Sequence, residues 1–330
     1  MADRPTIMVT RLLPPPGPEL MEQYFEVRGN REDRCMTREE MLAEVAGVDA
    51  LLTLLTDRVD VDVLEAAGPS LRVVSNCAVG FDNIDVEEAT RRNILVATTP
   101  GVLTDATAEL TWALILSACR RVVEGDVMVR SGEFVGWTPT LLLGMELKGR
   151  VLGVVGMGRI GRAVAERAEA FGMTVLYTRR SGPLPPDSIP RGAEWQHTDS
   201  LRWLLATADV VSIHLPLSET THHLLGRREL GLMKKGSVLI NTSRGAVIDE
   251  RALVDALREG PLRAAGLDVY EQEPRVAAGL VEAKNVVLLP HVGSATNETR
   301  GRMAKMAVMN ARAAVCGESV PHAVNADKIR

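Results

Sequence analysis

The stretch from Val151 to Gly161, Val-Leu-Gly-Val-Val-Gly-Met-Gly-Arg-Ile-Gly, constrains the fold of this chain more than any other. An apolar strand runs directly into Gly156-x-Gly158-x-x-Gly161 and then into a helical pattern, the context that a dinucleotide fingerprint requires. Gly156 permits a tight turn, Gly158 lets a pyrophosphate approach the backbone, and Gly161 lets the helix pack closely on its strand, while the free N–H groups of the first helical turn hold the anion. Roughly 150 residues precede the motif. A simple dinucleotide domain begins with this strand, so the cofactor domain is expected to be inserted into another domain.

Short β-rich runs alternate with helical patterns in the first part of the chain. Thr6–Thr10, Ala50–Leu54, Leu71–Ser75 and Leu95–Ala97 read as strands, and Arg38–Val45 and Val86–Arg92 as helices, which predicts a parallel sheet with helices on its faces. After Thr99-Pro100-Gly101, a plausible hinge, Thr104 to Thr107 offer N-cap side chains to one long helix through Arg120 and beyond. Six strands follow, near 151–155, 174–178, 210–214, 237–241, 264–268 and 286–289, enough for a complete doubly wound sheet. The helical pattern Glu298–Val315 most economically returns to the first domain, with the closing hinges of the two domains near Gly101 and Ser294.

Composition narrows the class. With 330 residues, 46% hydrophobic, 25% charged and a net charge of −5, the chain reads as a globular enzyme of roughly two domains. No basic block offers counterion release on nucleic acid, and no apolar run reaches membrane-spanning length, so neither is an expected partner and the cytoplasm is the expected location. Cys35, Cys77, Cys119 and Cys316 are widely spaced, which points to buried free thiols, and no structural metal is expected.

Three segments at predicted strand ends supply chemistry: Asn241-Thr242-Ser243-Arg244-Gly245, Asp268-Val269-Tyr270-Glu271-Gln272-Glu273-Pro274 and Pro290-His291-Val292-Gly293-Ser294. In an open α/β sheet the ligand crevice lies beyond the carboxyl ends of the strands, so an Arg, a Glu and a His could converge there. The planar guanidinium of Arg244 suits a carboxylate, and His291 suits proton exchange with an alcohol or ketone oxygen. A carboxylate beside the histidine orients it and favours its protonated form. Glu271 and Glu273 compete for that role, and spacing does not choose between them. The set describes hydride transfer on a 2-hydroxy or 2-keto acid. His222 and His223 read as surface residues and His214 as packing at a strand end, with no metal role expected for any of them.

Along essentially its whole length the chain resembles the D-isomer-specific 2-hydroxyacid dehydrogenases. Beyond the glycine motif, the resemblance rests on Ala78 to Asp85 (Ala-Val-Gly-Phe-Asp-Asn-Ile-Asp), Thr99 to Thr104, Ala108-Glu109-Leu110, Leu239 to Gly245, Ala265 to Pro274 and Leu289 to Ser294. It implies two doubly wound parallel-sheet α/β domains, a Rossmann cofactor domain (102–294) inserted into a flavodoxin-like substrate domain (1–101 and 295–330). It also implies that Glu273 is the catalytic carboxylate, with Arg244 and His291. Leu54 to Asp60, Thr104 to Leu110 and Ser294 to Thr296 are similar to the glyoxylate and hydroxypyruvate reductases of that family. By the same resemblance Val79 and Gly80 offer N–H groups to a substrate carboxylate, Thr104 lies near the nicotinamide, Asp268 binds its amide, and Arg159 and Ile160 meet the pyrophosphate. Thr242 and Gly293, in the matching segments, complete the expected cofactor set. Leu54, Leu55 and Trp137 are candidates for the distal pocket. Trp137 either reaches the neighbouring subunit's pocket or packs in a dimer contact with no catalytic part.

The expected reaction is reduction of a small 2-keto acid such as glyoxylate or hydroxypyruvate to the D-2-hydroxy acid. Phosphite dehydrogenases share the segment Val129 to Trp137 but place a lysine where this chain has Val79. Corepressors of the C-terminal-binding-protein type keep the Arg, Glu and His but carry a long tail not seen after Val324-Asn325. An acid about 20 positions beyond the glycines would bind the ribose of NAD. Here the strand ends Thr178-Arg179-Arg180, which predicts a preference for NADP(H) with NAD(H) possible, unless the arginines are merely solvated. The apolar run Leu110, Trp112, Leu114, Ile115 and Leu116 exceeds the needs of one buried face, so a homodimer centred on Thr107–Arg130 is expected.

Overall fold

The computed structural model describes residues 4–329. The chain divides into two compact units, one running to Leu103 and resuming at Ser294, the other spanning Thr104–Gly293.

The first unit holds β1 (Thr6–Val9), β2 (Glu26–Gly29), β3 (Ala50–Thr53), β4 (Val73–Asn76) and β5 (Leu95–Ala97). They form one parallel sheet in the order β2-β1-β3-β4-β5. β1, β3 and β4 are buried at every position, as strands covered on both faces are; β1 and β3 read as largely apolar runs, while β4 ends on Ser75 and Asn76, buried with their side chains hydrogen-bonded. β2 alternates exposed and half-buried residues at the sheet edge, and the sequence carries no apolar signature for it. The helix Asn297–Val315 returns to this sheet, where Ser75 Oγ donates to the Ala307 carbonyl at 2.8 Å and Asn310 Nδ2 to that of Thr98 at 2.9 Å. Asn325 closes the unit by accepting from the Val96 N–H and donating to the Ile94 carbonyl.

The second unit holds β6 (Val151–Val155), β7 (Thr174–Thr178), β8 (Trp195–His197), β9 (Val210–Ile213), β10 (Ser237–Asn241), β11 (Leu262–Leu267) and β12 (Val286–Leu288). The order β12-β11-β10-β9-β6-β7-β8, parallel throughout, reverses direction between β6 and β9, the crevice position of a doubly wound sheet. Two apolar layers follow from the strand period of two. Leu152, Val154, Val175, Tyr177 and Ile240 face one layer with Trp112, Ile115 and Val164, while Val155, Leu176, Val211 and Leu239 face the other with Leu204 and Leu253.

Several expectations need correction. The sheet has seven strands rather than six, because β8 is a three-residue edge strand of half-buried and exposed side chains that periodicity does not reveal. The single long helix is two, Thr104–Arg120 and Val122–Arg130, broken at Arg121 in the left-handed region with φ 55°. The Met145 N–H takes the Cys119 carbonyl at 2.8 Å, an acceptor that an unbroken helix would give to residue 123. All four cysteines are free, but only Cys77 and Cys119 are buried, their thiols pushed up to about 12 by burial, while Cys35 and Cys316 are exposed. The surplus of apolar surface also lies elsewhere. Trp112, Leu114 and Ile115 are buried within the unit, whereas Val122–Arg130 has no buried residue, and Val135 and Trp137 beyond it are 96% and 80% exposed.

No described helix is long and apolar enough to cross a membrane.

Candidate active site

The glycine loop takes the conformation its letters require. Gly156 has φ 99° and abuts the His214 carbonyl, and a Cβ on Gly161 would stand 2.2 Å from the Gly156 oxygen, a distance only glycine tolerates. A Cβ on Gly158, by contrast, would meet nothing within 4 Å. Gly158 is the N-cap of the helix Arg159–Ala168 and supplies no side-chain cap, so Arg159 and Ile160 open a helix whose first N–H groups are left for an anion. The N–H groups of Gly156 and Met157 donate to the Thr178 carbonyl, which places the end of β7 beside this loop. Thr178 and Arg179 are half-buried there and Arg180 is exposed, and neither arginine makes an ion pair among the described residues. An open glycine, an uncapped helix start and adjacent cations together fit a dinucleotide phosphate.

The three polar segments after β10, β11 and β12 converge in the same unit. Asn241, at the end of β10, shapes the first: its Oδ1 accepts from the Ser243 N–H and its Nδ2 donates to the Arg244 carbonyl at 2.8 Å. A Cβ on Gly245 would fall 1.8 Å from the Tyr270 carbonyl carbon, so glycine alone lets this turn press on the backbone that leads to Glu273. Thr242 is buried and its hydroxyl lies 2.9 Å from that of Thr111. The second segment curls so that Glu273 Oε1 accepts from the Tyr270 N–H at 3.0 Å. The third is set by Asp268, whose two buried oxygens accept from the Val292 and Gly293 N–H groups, both at 2.8 Å. Asp268, expected to meet the nicotinamide amide, uses both oxygens to anchor the loop that carries His291. Burial raises its carboxyl above the ordinary value, partly offset by those N–H groups and the charge of His291.

His291 has φ 55°, a left-handed conformation uncommon outside glycine, and its ring meets Glu273. Nδ1 lies 2.8 Å from Glu273 Oε2, with about a quarter of each side chain exposed. Burial pushes the Glu273 carboxyl up, but the hydrogen bond and charge of His291, the Tyr270 N–H and the charge of Arg244 more than reverse this, and it settles below its ordinary value. An ionised carboxylate only accepts, so Nδ1 carries the proton and Nε2 is the ring atom left for a reactant.

The tie between the carboxylates is thereby broken by geometry. Glu271 Oε1 lies 2.8 Å from His223 Nε2 instead, so each acid has its own histidine, and His223 is half-buried rather than a free surface residue. The residues alone offered no signal for this second pair. His214 packs with Nε2 2.8 Å from Ser212 Oγ, and burial pushes it down to about 3, leaving a neutral ring.

In the other unit, Asn76 Nδ2 donates to the Gly80 carbonyl and Asn83 Nδ2 to those of Leu54 and Asp57. This amide pair, joined at 3.1 Å, ties the loop of Leu55 to that of Val79 and Gly80. Neither asparagine stood out in the sequence as a positioning group. Val79 is 37% exposed and Leu55 half-buried. Thr104 is half-buried at the first turn of its helix in the second unit.

Residues 112–293 match the NAD binding domain of the D-isomer specific 2-hydroxyacid dehydrogenases. The chain is 48% identical to a glyoxylate reductase of Thermococcus litoralis, over 98% of each chain. It is 51% identical to a glyoxylate reductase of Aeropyrum pernix, over 99% of this chain and 98% of the other. Among solved structures it resembles an NADPH-dependent glyoxylate/hydroxypyruvate reductase of Sinorhizobium meliloti in complex with NADP and malonate, at 32% identity and a TM-score of 0.85, over 99% of this chain and 98% of that one.

Proposed function

Because the chain belongs to the D-isomer specific 2-hydroxyacid dehydrogenases, enzymes that use a nicotinamide cofactor, we propose that it reduces glyoxylate, and hydroxypyruvate as a second substrate, to the D-2-hydroxy acid with NADPH. The observation that carries the chemistry is the 2.8 Å contact of His291 Nδ1 with Glu273, within the field of Arg244. The names of the relatives, each similar over nearly the whole chain, support the substrate.

The bound nicotinamide supplies the hydride. Gly156, Gly158 and Gly161, with the N–H groups of Arg159 and Ile160, would hold its pyrophosphate, Thr178, Arg179 and Arg180 its adenosine end, and Thr104 and Asp268 its nicotinamide, with Thr242 and Gly293 as further cofactor-binding residues. Arg244, with the Val79 and Gly80 N–H groups, binds the keto acid's carboxylate. His291 Nε2 donates its proton to the carbonyl oxygen, and Glu273 stabilises the imidazolium before that transfer and keeps the ring in place. Arg244 offsets charge that builds on the oxygen. Oxidation runs through the same groups in reverse. Leu55 and, from a partner subunit, Trp137 are the candidates to contact the far side of the keto acid.

Absorbance at the reduced-nicotinamide band tests the substrate. Turnover with glyoxylate and hydroxypyruvate is expected, and turnover with phosphite alone would replace this reading with phosphite oxidation. Arg244→Lys is expected to raise KM for the keto acid by about tenfold or more, since a point charge cannot reproduce a bidentate fork. An unchanged KM and kcat in that variant would remove Arg244 from the substrate site.

The active form is expected to be a homodimer. Val122, Val123, Val127 and Val129 are each more than 40% exposed on one short helix, and Phe134, Val135 and Trp137 continue the apolar surface. A monomer mass by light scattering at micromolar concentration would refute the assembly.

A further inference from the structure

Glu271 takes no part in the chemistry above, yet it faces a built cluster. Its Oε1 stands 2.8 Å from His223 Nε2, and the His222 ring stacks on that of His223 with centroids 4.0 Å apart and 26° between planes. One donor atom from each of the three side chains lies within 4.8 Å of the other two. Two of the three are fixed from behind. The His223 N–H donates to the Ala246 carbonyl at 2.8 Å with φ 48°, and the Glu271 N–H donates to Glu250 Oε1 at 2.7 Å. The third, His222, is exposed and adjusts at little cost.

Two imidazoles and one carboxylate are the donors of a tetrahedral zinc site with water in the fourth position, and zinc bonds of roughly 2.0–2.2 Å set the donors about 3.3–3.5 Å apart. The His223–Glu271 pair would open slightly from 2.8 Å, and the His222 donor, within 4.8 Å of the others, would close in. Magnesium and calcium prefer all-oxygen sets, so this set disfavours them. We propose that His222, His223 and Glu271 form a zinc-binding site, separate from the His291–Glu273 pair, in which the metal replaces the proton shared by His223 and Glu271. The ion would tie the loop that carries the two histidines to the segment Tyr270 to Glu273. It therefore stabilises the very turn that presents the catalytic carboxylate.

The test uses the full chain, stripped with a chelator and titrated with zinc chloride alone in equilibrium dialysis, with cobalt(II) as a spectroscopic substitute. Tight binding of one zinc per chain and a rise in Tm are expected, together with intense visible bands of four-coordinate cobalt. His222→Ala, at an exposed position, and Glu271→Gln, which keeps a hydrogen bond to His223, should each weaken zinc binding by about tenfold or more and abolish the cobalt bands. Equal zinc affinity in both variants would mean adventitious binding at other histidines or the exposed cysteines, and would overturn the proposal. So would the absence of binding at micromolar zinc.

Discussion

Replacing His291 by Ala is expected to lower kcat for keto-acid reduction by about 100-fold or more, the usual scale when a positioned general acid is lost. The reason lies in the pair it forms. The ring's Nδ1 is engaged by Glu273 at 2.8 Å, which leaves Nε2 as donor, and no other described imidazole shares that carboxylate. His223 is committed to Glu271, and His214, kept neutral by burial, is bonded to Ser212. KM for the keto acid should change far less than kcat, because Arg244 and its asparagine-shaped turn stay in place. The Glu273 carboxyl, freed from the imidazole, should also titrate higher than it does now. Steady-state rates on purified protein decide the matter. Turnover near that of the unmodified enzyme, with every keto acid tested, would remove His291 from the mechanism.

The second large effect concerns the cofactor. The unmodified enzyme is expected to show kcat/KM for NADPH about tenfold or more above that for NADH, and Arg179→Asp to reverse or abolish the preference. Thr178 closes β7 against the glycine loop through two backbone bonds, so the next residue stands where an NAD-specific protein places its acid. Arg179 is half-buried there without an ion-pair partner among the described residues, and Arg180 follows it exposed. A charge-assisted hydrogen bond to a 2′-phosphate contributes about 1.5–3 kcal/mol, which corresponds to the expected discrimination. An aspartate at 179 replaces that attraction by repulsion. Measured kcat/KM values favouring NADH in the unmodified enzyme would overturn the cofactor assignment and leave the hydride-transfer chemistry intact.

How far the sequence reaches depends on how local the cause is. β5, β6, β7 and β10 begin and end at the residues read from the sequence, and most of the other buried strands fall within a residue or two, because a strand covered on both faces carries an apolar run through its middle. The edge strands β2 and β8 face solvent on part of their surface, so nothing in Glu26–Gly29 or Trp195–His197 separates them from loop. The break at Arg121 has no glycine or proline to announce it. It goes with Met145, 24 residues on, whose N–H takes the Cys119 carbonyl.

The site divides along the same line. The doubly wound architecture and the kinds of groups at the strand ends are legible in the residues alone: a glycine loop for a pyrophosphate, a guanidinium, carboxylates and an imidazole. Periodicity and residue chemistry are local properties, and they are enough for that. Which acid meets which base is set by the folded chain. Glu271 and Glu273 are two residues apart in one turn, yet one reaches back 48 positions to His223 and the other forward 18 to His291. Sheet order and the path of three separate loops set those distances, and no spacing within the turn encodes them.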